Sequence, residues 1–411
     1  MFIRRYKHAD DFNNVRQIWQ ETGWWEADRE GVLNYVLADQ YALVAELNNN
    51  IECYASSVPG EIRHLQRDIP MTCITAVITG RIARGKGLAG RLTAELTARG
   101  VEQGALFASL GVFDQGFYNK LGFASGSTTI IRTFDPASLR VPYPDRTPIR
   151  LTKADWKEMH ACRLNRKCRH GGNNLLAESM TRAAVDQNNT DFGLGFRDNS
   201  TGELTHYVWL NTNSSVAQGP YDINHLSFNN YNQFTELLGV LKSLGDQVLG
   251  IRMADPPGIQ MECLLDKPFR NRSLTKGGKF SDSPFAWSHW QGRICNIRDC
   301  LAQTSIPVHH TLQFNLKLSD PISKYLDDKS PWSGDAGEYV ITLGKECSAT
   351  KGTNNALPTM VAGIGAFTRL WLGVQPASTL TVTDDLVAPP ELLDELDRFL
   401  LLPTPNPDWD F

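Results

Sequence analysis

Arg81, Arg84, Lys86 and Arg91 alternate with Gly80, Gly85, Gly87 and Gly90 in one short stretch of the chain. An apolar run, Met71–Thr79, comes just before it, and Leu88, Leu92 and Leu96 follow at the spacing of a helix face. Glycines let backbone N–H groups approach an anion closely. The first turn of a helix adds unpaired donors and positive potential. Strand, glycine turn and helix together suit a pyrophosphate. The stretch is neither GxxxxGK[ST] nor GxGxxG with a distal carboxylate, so two common nucleotide loops are excluded. A solvated Arg/Gly turn is the competing reading of the same residues.

Other residues carry chemistry further along. Tyr118 opens a short helix that Gly122 stops, a place where a core tyrosine is the plain reading. His8 and His64 are candidate bases by chemistry alone. Trp24, Trp25, Glu26, Asp28 and Glu30 follow the first helix, and Asp114 precedes the tyrosine. Carboxylates attract a cationic amine and indole faces hold it. The same loop also reads as a polar connector whose tryptophans cap the core. The tail Pro403–Phe411 has no regular pattern and reads as a frayed end, although Trp409 and Phe411 could anchor it. The eight cysteines contain no CxxC pair, so no metal is expected and buried free thiols are.

These residues belong to a chain of 411, enough for two or three domains. Hydrophobic residues make up 41%, which supports sizeable cores. Lys and Arg number 41 against 45 Asp and Glu, a net charge of −4. That balance excludes binding of nucleic acid by bulk charge and excludes a disordered acidic chain. No apolar run of about eighteen residues appears, so no membrane span is expected. MFIRRYKHADDF carries charges where a signal peptide needs its apolar core, which makes the cytoplasm the expected compartment.

The elements that must position the site read as a mixed α/β pattern. Strands are expected at Phe2–Arg5, Tyr41–Leu47, Ile51–Ser57, Met71–Thr79 and Ala105–Val112, with helices at Asp10–Thr22 and Leu88–Arg99. Phe123–Phe134 reads as one long strand. Pro142, Pro144 and Pro148 mark a linker, and Thr152 caps a helix beyond it. Glu203–Leu210, Ile223–Ser227 and Val248–Met253 read as strands and Tyr231–Leu244 as a helix. Further on, Arg293–Ile297 reads as a strand entering a helix. His309–Leu318, Gly337–Leu343 and Thr379–Val382 read as strands, and Met360–Trp371 and Pro389–Phe399 as helices.

Arg84-x-x-Gly87-x-Ala89 resembles motif A of the GNAT superfamily of N-acetyltransferases. Phe117-Tyr118-Asn119-Lys120-Leu121-Gly122-Phe123 resembles that superfamily's tyrosine motif. Length, the order of the units and the terminal Phe411 resemble the enhanced intracellular survival (Eis) acetyltransferase family. The resemblance implies an α+β chain with a catalytic GNAT domain at 1–140, a second GNAT-like domain without the cofactor motif at 141–288, and a sterol carrier protein-like domain at 289–411. It implies that Val77, Ile78, Thr79, Arg84, Gly85, Lys86, Gly87, Leu88 and Ala89 hold acetyl-CoA. Tyr118 would protonate the coenzyme sulfur. The Phe411 carboxylate would reach the active site and help take the amine's proton, with Asp410 as a nearby substitute. Trp24, Trp25, Glu26, Asp28, Glu30 and Asp114 would line the acceptor pocket. The acceptor would be a primary amine of a polyamine, an aminoglycoside-like molecule or a lysine, attacking directly, in a homo-oligomer such as a hexamer. The alternative is a non-catalytic protein that binds a lipid or small molecule and carries a vestigial acetyltransferase domain.

Overall fold

The computed structural model describes residues 2–24, 30–37, 40–113, 115–212, 218–282 and 284–409. In chain order the first elements are β1 (Phe2–Arg5), α1 (His8–Thr22), α2 (Glu30–Leu37), β2 (Tyr41–Leu47), β3 (Asn50–His64), β4 (Arg67–Thr79), α3 (Leu88–Glu102), β5 (Phe107–Gly111) and β6 (Ala124–Ser125). Next come β7 (Thr129–Phe134), β8 (Ile149–Leu151), α4 (Trp156–Leu164), β9 (Asn173–Leu175), α5 (Glu178–Asp186), β10 (Phe192–Arg197), β11 (Leu204–Asn211), β12 (Tyr221–Ser227), α6 (Tyr231–Ser243), β13 (Ile251–Ala254), α7 (Pro268–Thr275) and β14 (Phe285–Trp287). The last are β15 (Trp290–Ile294), α8 (Ile297–Ala302), β16 (Leu312–Ser319), β17 (Gly337–Leu343), β18 (Ser348–Lys351), β19 (Thr359–Gly363), α9 (Ile364–Trp371), α10 (Ala377–Thr383), β20 (Leu386–Val387) and α11 (Pro390–Phe399).

The described residues form three sheets. The first runs β1-β2-β3-β4-β5-β15-β6 with β9 against β3, the second β14-β7-β13-β12-β11-β10-β8, the third β18-β17-β16-β19-β20. Residues 1–127, 169–177 and 288–411 make one compact unit, and residues 128–168 and 178–287 make another.

The alternation along β2 explains the layering of the first sheet. Leu43 and Ala45 pack on the side of α3, which buries Leu88, Leu92 and Leu96. Ala42 and Val44 pack on the opposite side, against Val15, Ile18 and Trp19 of α1 and Leu33 and Leu37 of α2. The second sheet is layered the same way. Phe234, Leu237, Leu238 and Leu241 of α6 cover the face bearing Val208 and Leu210, while α4 and α5 send Met159, Cys162 and Val185 to the face bearing Tyr207 and Trp209.

Strand membership departs from a chain laid out in successive pieces. The expected long strand over 123–134 is two strands in two sheets, β6 in the first and β7 in the second. The break falls at Gly126, where an added Cβ would stand 1.9 Å from the Trp290 indole. Only a residue without a side chain passes that ring. β15, expected with the last third of the chain, lies between β5 and β6.

Two other expectations need correction. Met360 to Gly363 is strand, because this run pairs with both β16 and β20, and the helix starts only at Ile364. Thr379–Val382 lies inside helix α10, which starts right after Pro376. The Thr381 hydroxyl satisfies the carbonyl of Ser378 at 2.7 Å, and Leu380 is buried. The tail is anchored as far as Trp409, which is 2% exposed. Asn406 donates its N–H to the His170 carbonyl at 3.1 Å, and the Ser127 hydroxyl donates to Pro405 O. The cysteines form no disulfide among the described residues, and Cys53, Cys73, Cys162, Cys295, Cys300 and Cys347 are buried. Among the described residues no helix is long and apolar enough to cross a membrane.

Two buried imidazoles tie distant segments of the first unit together. His64 Nε2 donates to Trp371 O at 3.0 Å and its ring stacks on the Trp371 indole at 4.2 Å. His170 Nε2 donates to Leu372 O at 2.9 Å, and its Nδ1 accepts from the Leu65 N–H at 3.0 Å. Burial and the neighbouring His170 push His64 down to about 3, and burial lowers His170 as well. An unfolded histidine titrates near about 6.5, so the unfolded chain takes up protons first as pH falls. The stability contributed by these neutral rings is complete above about pH 6.5 and is lost as pH drops toward 3. Urea unfolding of the parent and of His64→Gln between pH 7 and pH 5 should show a shallower pH dependence in the variant, by up to about 1.4 kcal/mol per pH unit. Equal slopes would mean that the imidazole takes up its proton in the folded state.

Candidate active site

β4 pairs in parallel with β5 only from Met71–Phe107 to Ile74–Leu110. Beyond that point a β-bulge intervenes: Ser56 faces Thr75, but Tyr54 faces Ile78. Ala76 takes a left-handed conformation, φ 51°, which is unusual for a residue with a side chain. Val77, Ile78 and Thr79 therefore run on with β3 at one edge and no β5 partner at the other. Val77 packs toward the α3 side of the sheet and Ile78 toward the α1 side.

The loop after β4 is built from its backbone. Gly80 donates its N–H to Glu52 O at 2.8 Å, and Ala83 is buried under the turn. Gly85 and Gly87 have φ of 77° and 75°, and an added Cβ at either would meet nothing within 4 Å. Their left-handed backbone, and not crowding, is what calls for glycine. Gly87 caps α3, and among the described residues the amides of Leu88, Ala89 and Gly90 have no acceptor. Arg84 and Lys86 are exposed and form no side-chain hydrogen bond or ion pair among the described residues. Arg81 is committed elsewhere: its guanidinium donates to Glu21 O at 2.7 and 3.1 Å, at the end of α1. Of the expected cations, Arg84 and Lys86 are thus available to an anion, and Arg81 braces the loop.

Tyr118 begins a 3₁₀ turn, Tyr118–Leu121, that ends on Gly122 at φ 80°. Its ring lies in the same buried cluster as Cys53, Ala83 and Leu88. Phe117 meets it edge-on at 4.8 Å. The Cys53 thiol lies 3.2 Å from the Thr79 hydroxyl at the end of β4, and Cys53 shares the buried cluster of the Tyr118 ring. Burial, with a smaller push from Cys53, raises the Tyr118 phenol to about 12. It keeps its proton at neutral pH, and no described residue takes its hydrogen.

Of the expected acceptor-pocket residues, Trp24 is 39% exposed, edge-on to Trp19 at 5.6 Å and against Phe113 at 5.0 Å. Trp25, Glu26, Asp28, Asp114, Asp410 and Phe411 lie outside the described residues, as does the side chain of Glu30, whose backbone opens α2. His8 is exposed and paired with the Tyr6 hydroxyl at 3.1 Å, while His64 is spent on a buried carbonyl. Neither is placed with Tyr118. Sequence reasoning missed Glu52, whose carboxylate would lie 2.4 Å from a Cβ on Gly80. Its carboxyl is raised by burial and by Glu21 nearby. A lone acid at the start of a strand carries no sequence signal. Phe113, 83% exposed, was missed as well.

Residues 3–126 match the family model of the acetyltransferase (GNAT) domain. This segment has the GNAT fold. The likeness to solved structures runs the full length of the chain. A conserved protein of unknown function from Enterococcus faecalis V583, described as a probable N-acyltransferase, superposes with a TM-score of 0.79 at 18% identity, covering 100% of this chain and 99% of that one. A GCN5-related N-acetyltransferase from Anabaena variabilis ATCC 29413 gives 0.78 at 13% identity, with 100% of both chains covered. Eis1 from Mycobacterium abscessus gives 0.77 at 13% identity, again over 100% of both. Comparison with curated proteins finds no match. The chain thus shares a mixed α/β fold with these structures along its length and carries a GNAT domain at 3–126.

The buried phenol gives a direct check on the site. Ultraviolet difference titration of the parent against Tyr118→Phe should leave the Tyr118 signal absent at pH 10 and developing near pH 12. A Tyr118 transition near the ordinary value of about 10 would mean a wet, open ring.

Proposed function

We propose that the chain is an acetyl-CoA-dependent N-acetyltransferase acting on a primary amine. The observation that carries the reading is the bulged end of β4, parted from β5, with the Gly85–Gly87 turn just beyond it, while Tyr118 packs in the buried cluster on the α3 side of the same sheet. The fit to the co-substrate rests on that turn. Unpaired amides at the start of α3, an open glycine backbone and two uncommitted cations match a pyrophosphate. Acetyl-CoA supplies the acetyl group as a thioester.

The chain's own residues account for the rest. Leu88, Ala89 and Gly90 present N–H groups, and Arg84 and Lys86 add charge. The free edge of Val77–Thr79 offers backbone N–H groups to a carbonyl, which polarises it. The amine nitrogen bonds to the acetyl carbon and the carbon–sulfur bond breaks. Tyr118 holds its proton at the hydroxyl until that moment and gives it to the sulfur. The amine must shed a proton, and the Phe411 carboxylate, with Asp410 as substitute, is assigned that task from the family resemblance. The anchored tail up to Trp409 supports this assignment. Trp24 and Phe113 offer aromatic faces to a cationic acceptor, and Glu21 and Glu52 offer negative charge. The acceptor class is a polyamine, an aminoglycoside-like amine or a lysine side chain. The second unit, layered like the first but without a glycine cradle, is assigned as a GNAT-like domain that has no cofactor, and residues 289–411 are assigned from the family resemblance to a sterol carrier protein-like domain. A cytoplasmic homo-oligomer completes the proposal.

Free thiol should appear when acetyl-CoA is mixed with the protein and an amine, at a rate that depends on both. Tyr118→Phe should lower kcat by about 100-fold, the scale of general acid catalysis, with the KM for acetyl-CoA little changed. Joint replacement Arg84→Ala and Lys86→Ala should raise that KM by about tenfold, as expected for losing two charge-assisted contacts. Thiol release no faster than background across a panel of diamines, aminoglycosides and lysine peptides would dismiss the enzymatic reading.

A further inference from the structure

β15 separates the two strands that flank the Tyr118 turn. It pairs with β5 from Trp290–Gly111 to Ile294–Phe107, and with β6 at Gln291–Ser125 and Gly292–Ala124. The chain from Val112 to Phe123 must therefore cross from one edge of β15 to the other. Strand periodicity places Gln291 and Arg293 on one face, and both reach the crossing segment. Gln291 is 0% exposed. Its Nε2 lies 3.1 Å from Gln115 Oε1, 3.1 Å from Asn119 Oδ1 and 3.3 Å from Ser125 Oγ. Asn119 Oδ1 also accepts the Gly116 N–H at 2.9 Å, and Gln115 Nε2 donates to Ser288 O at 2.9 Å. At the other end of the turn, Arg293 donates to Leu121 O and pairs with Asp320 at 2.6 Å. Asn119, next to the phenol-bearing residue, is held by Gln291, and the last residue of the turn is held by Arg293.

A buried primary amide is costly unless its hydrogens are used, and its two hydrogens serve this turn. Gln115 and Asn119 are themselves exposed, while Tyr118 and Leu121 of the same segment pack into the core. Without a donor from below, Asn119 loses its bond to the sheet, and the phenol beside it keeps its ring packing without that second anchor. We propose that Gln291, from a strand donated by the last third of the chain, is a positioning residue that sets where the Tyr118 hydroxyl stands. The proposal rests on the reading of Tyr118 as the proton donor. Arg293 and Asp320 are poor probes of it, because removing either leaves a buried charge unpaired and measures stability instead of position.

The test is a double-mutant cycle in the full chain. Gln291→Met keeps the volume and removes the donor. It should lower kcat at least tenfold while the KM for acetyl-CoA stays within threefold. In a Tyr118→Phe background the same change should alter kcat less than twofold. Should Gln291→Met fail to fold, Asn119→Ala cuts the same bond from the exposed side and enters the same cycle. A second readout needs no turnover: the fluorine resonance of 3-fluorotyrosine at position 118 should shift or broaden in Gln291→Met, while one at position 207 stays put. An unchanged Tyr118 resonance, or an equal loss of kcat in both backgrounds, overturns the proposal. If the parent acetylates no amine, the functional reading fails instead, and the fluorine resonance alone decides whether Gln291 holds Tyr118.

Discussion

An interior strand needs hydrogen-bond partners along both edges, and β4 gives one of them up after Ile74. The rest of the site depends on that concession. The bulge at Ala76 turns the strand so that Val77–Thr79 stay attached to β3 and leave β5. Unpaired backbone groups become available just where the following helix starts, at the mouth of a loop that also has unsatisfied amides. Strain at Ala76 is tolerated because the neighbouring structure is firm: Cys53, Ala55 and Ile74 are buried on one side, Tyr54 and Ile78 on the other.

In the proposed mechanism the gap needs a fixed proton donor, and Tyr118 sits on a turn too short to hold itself in place. Its firmness is borrowed. The ring packs into the α3 core, Gly122 ends the turn in a left-handed conformation, and β15 underlies the whole segment. Residues far apart in sequence, near 118 and 291, thus form one small structure.

The glycine-rich loop and the tyrosine turn were legible because their chemistry is local. Gly85, Gly87 and the Leu88-Leu92-Leu96 stripe announce a turn and a helix from their own types and spacing. Most elements of the first hundred residues follow from the same kind of pattern. What was not legible depends on partners distant in the chain. Nothing near residue 126 says that the strand must break there, since the reason is the Trp290 indole. Met360–Gly363 looks helical until β16 and β20 are placed on its edges. The Thr-rich run at 379–383 has strand propensity, but a proline at its start and packing against α11 make it a helix. Glu52 and Gln291 acquire meaning only from what folds against them.

The late arrival of β15 has a consequence for biosynthesis. β5 emerges from the ribosome long before Trp290–Ile294 exists, and its free edge is buried only when that strand slots in. At roughly 5–20 residues per second, the interval is on the order of ten seconds or more. Throughout it the nascent chain displays an unfilled groove beside a sticky backbone edge, the kind of surface that chaperones cover and that stray strands invade.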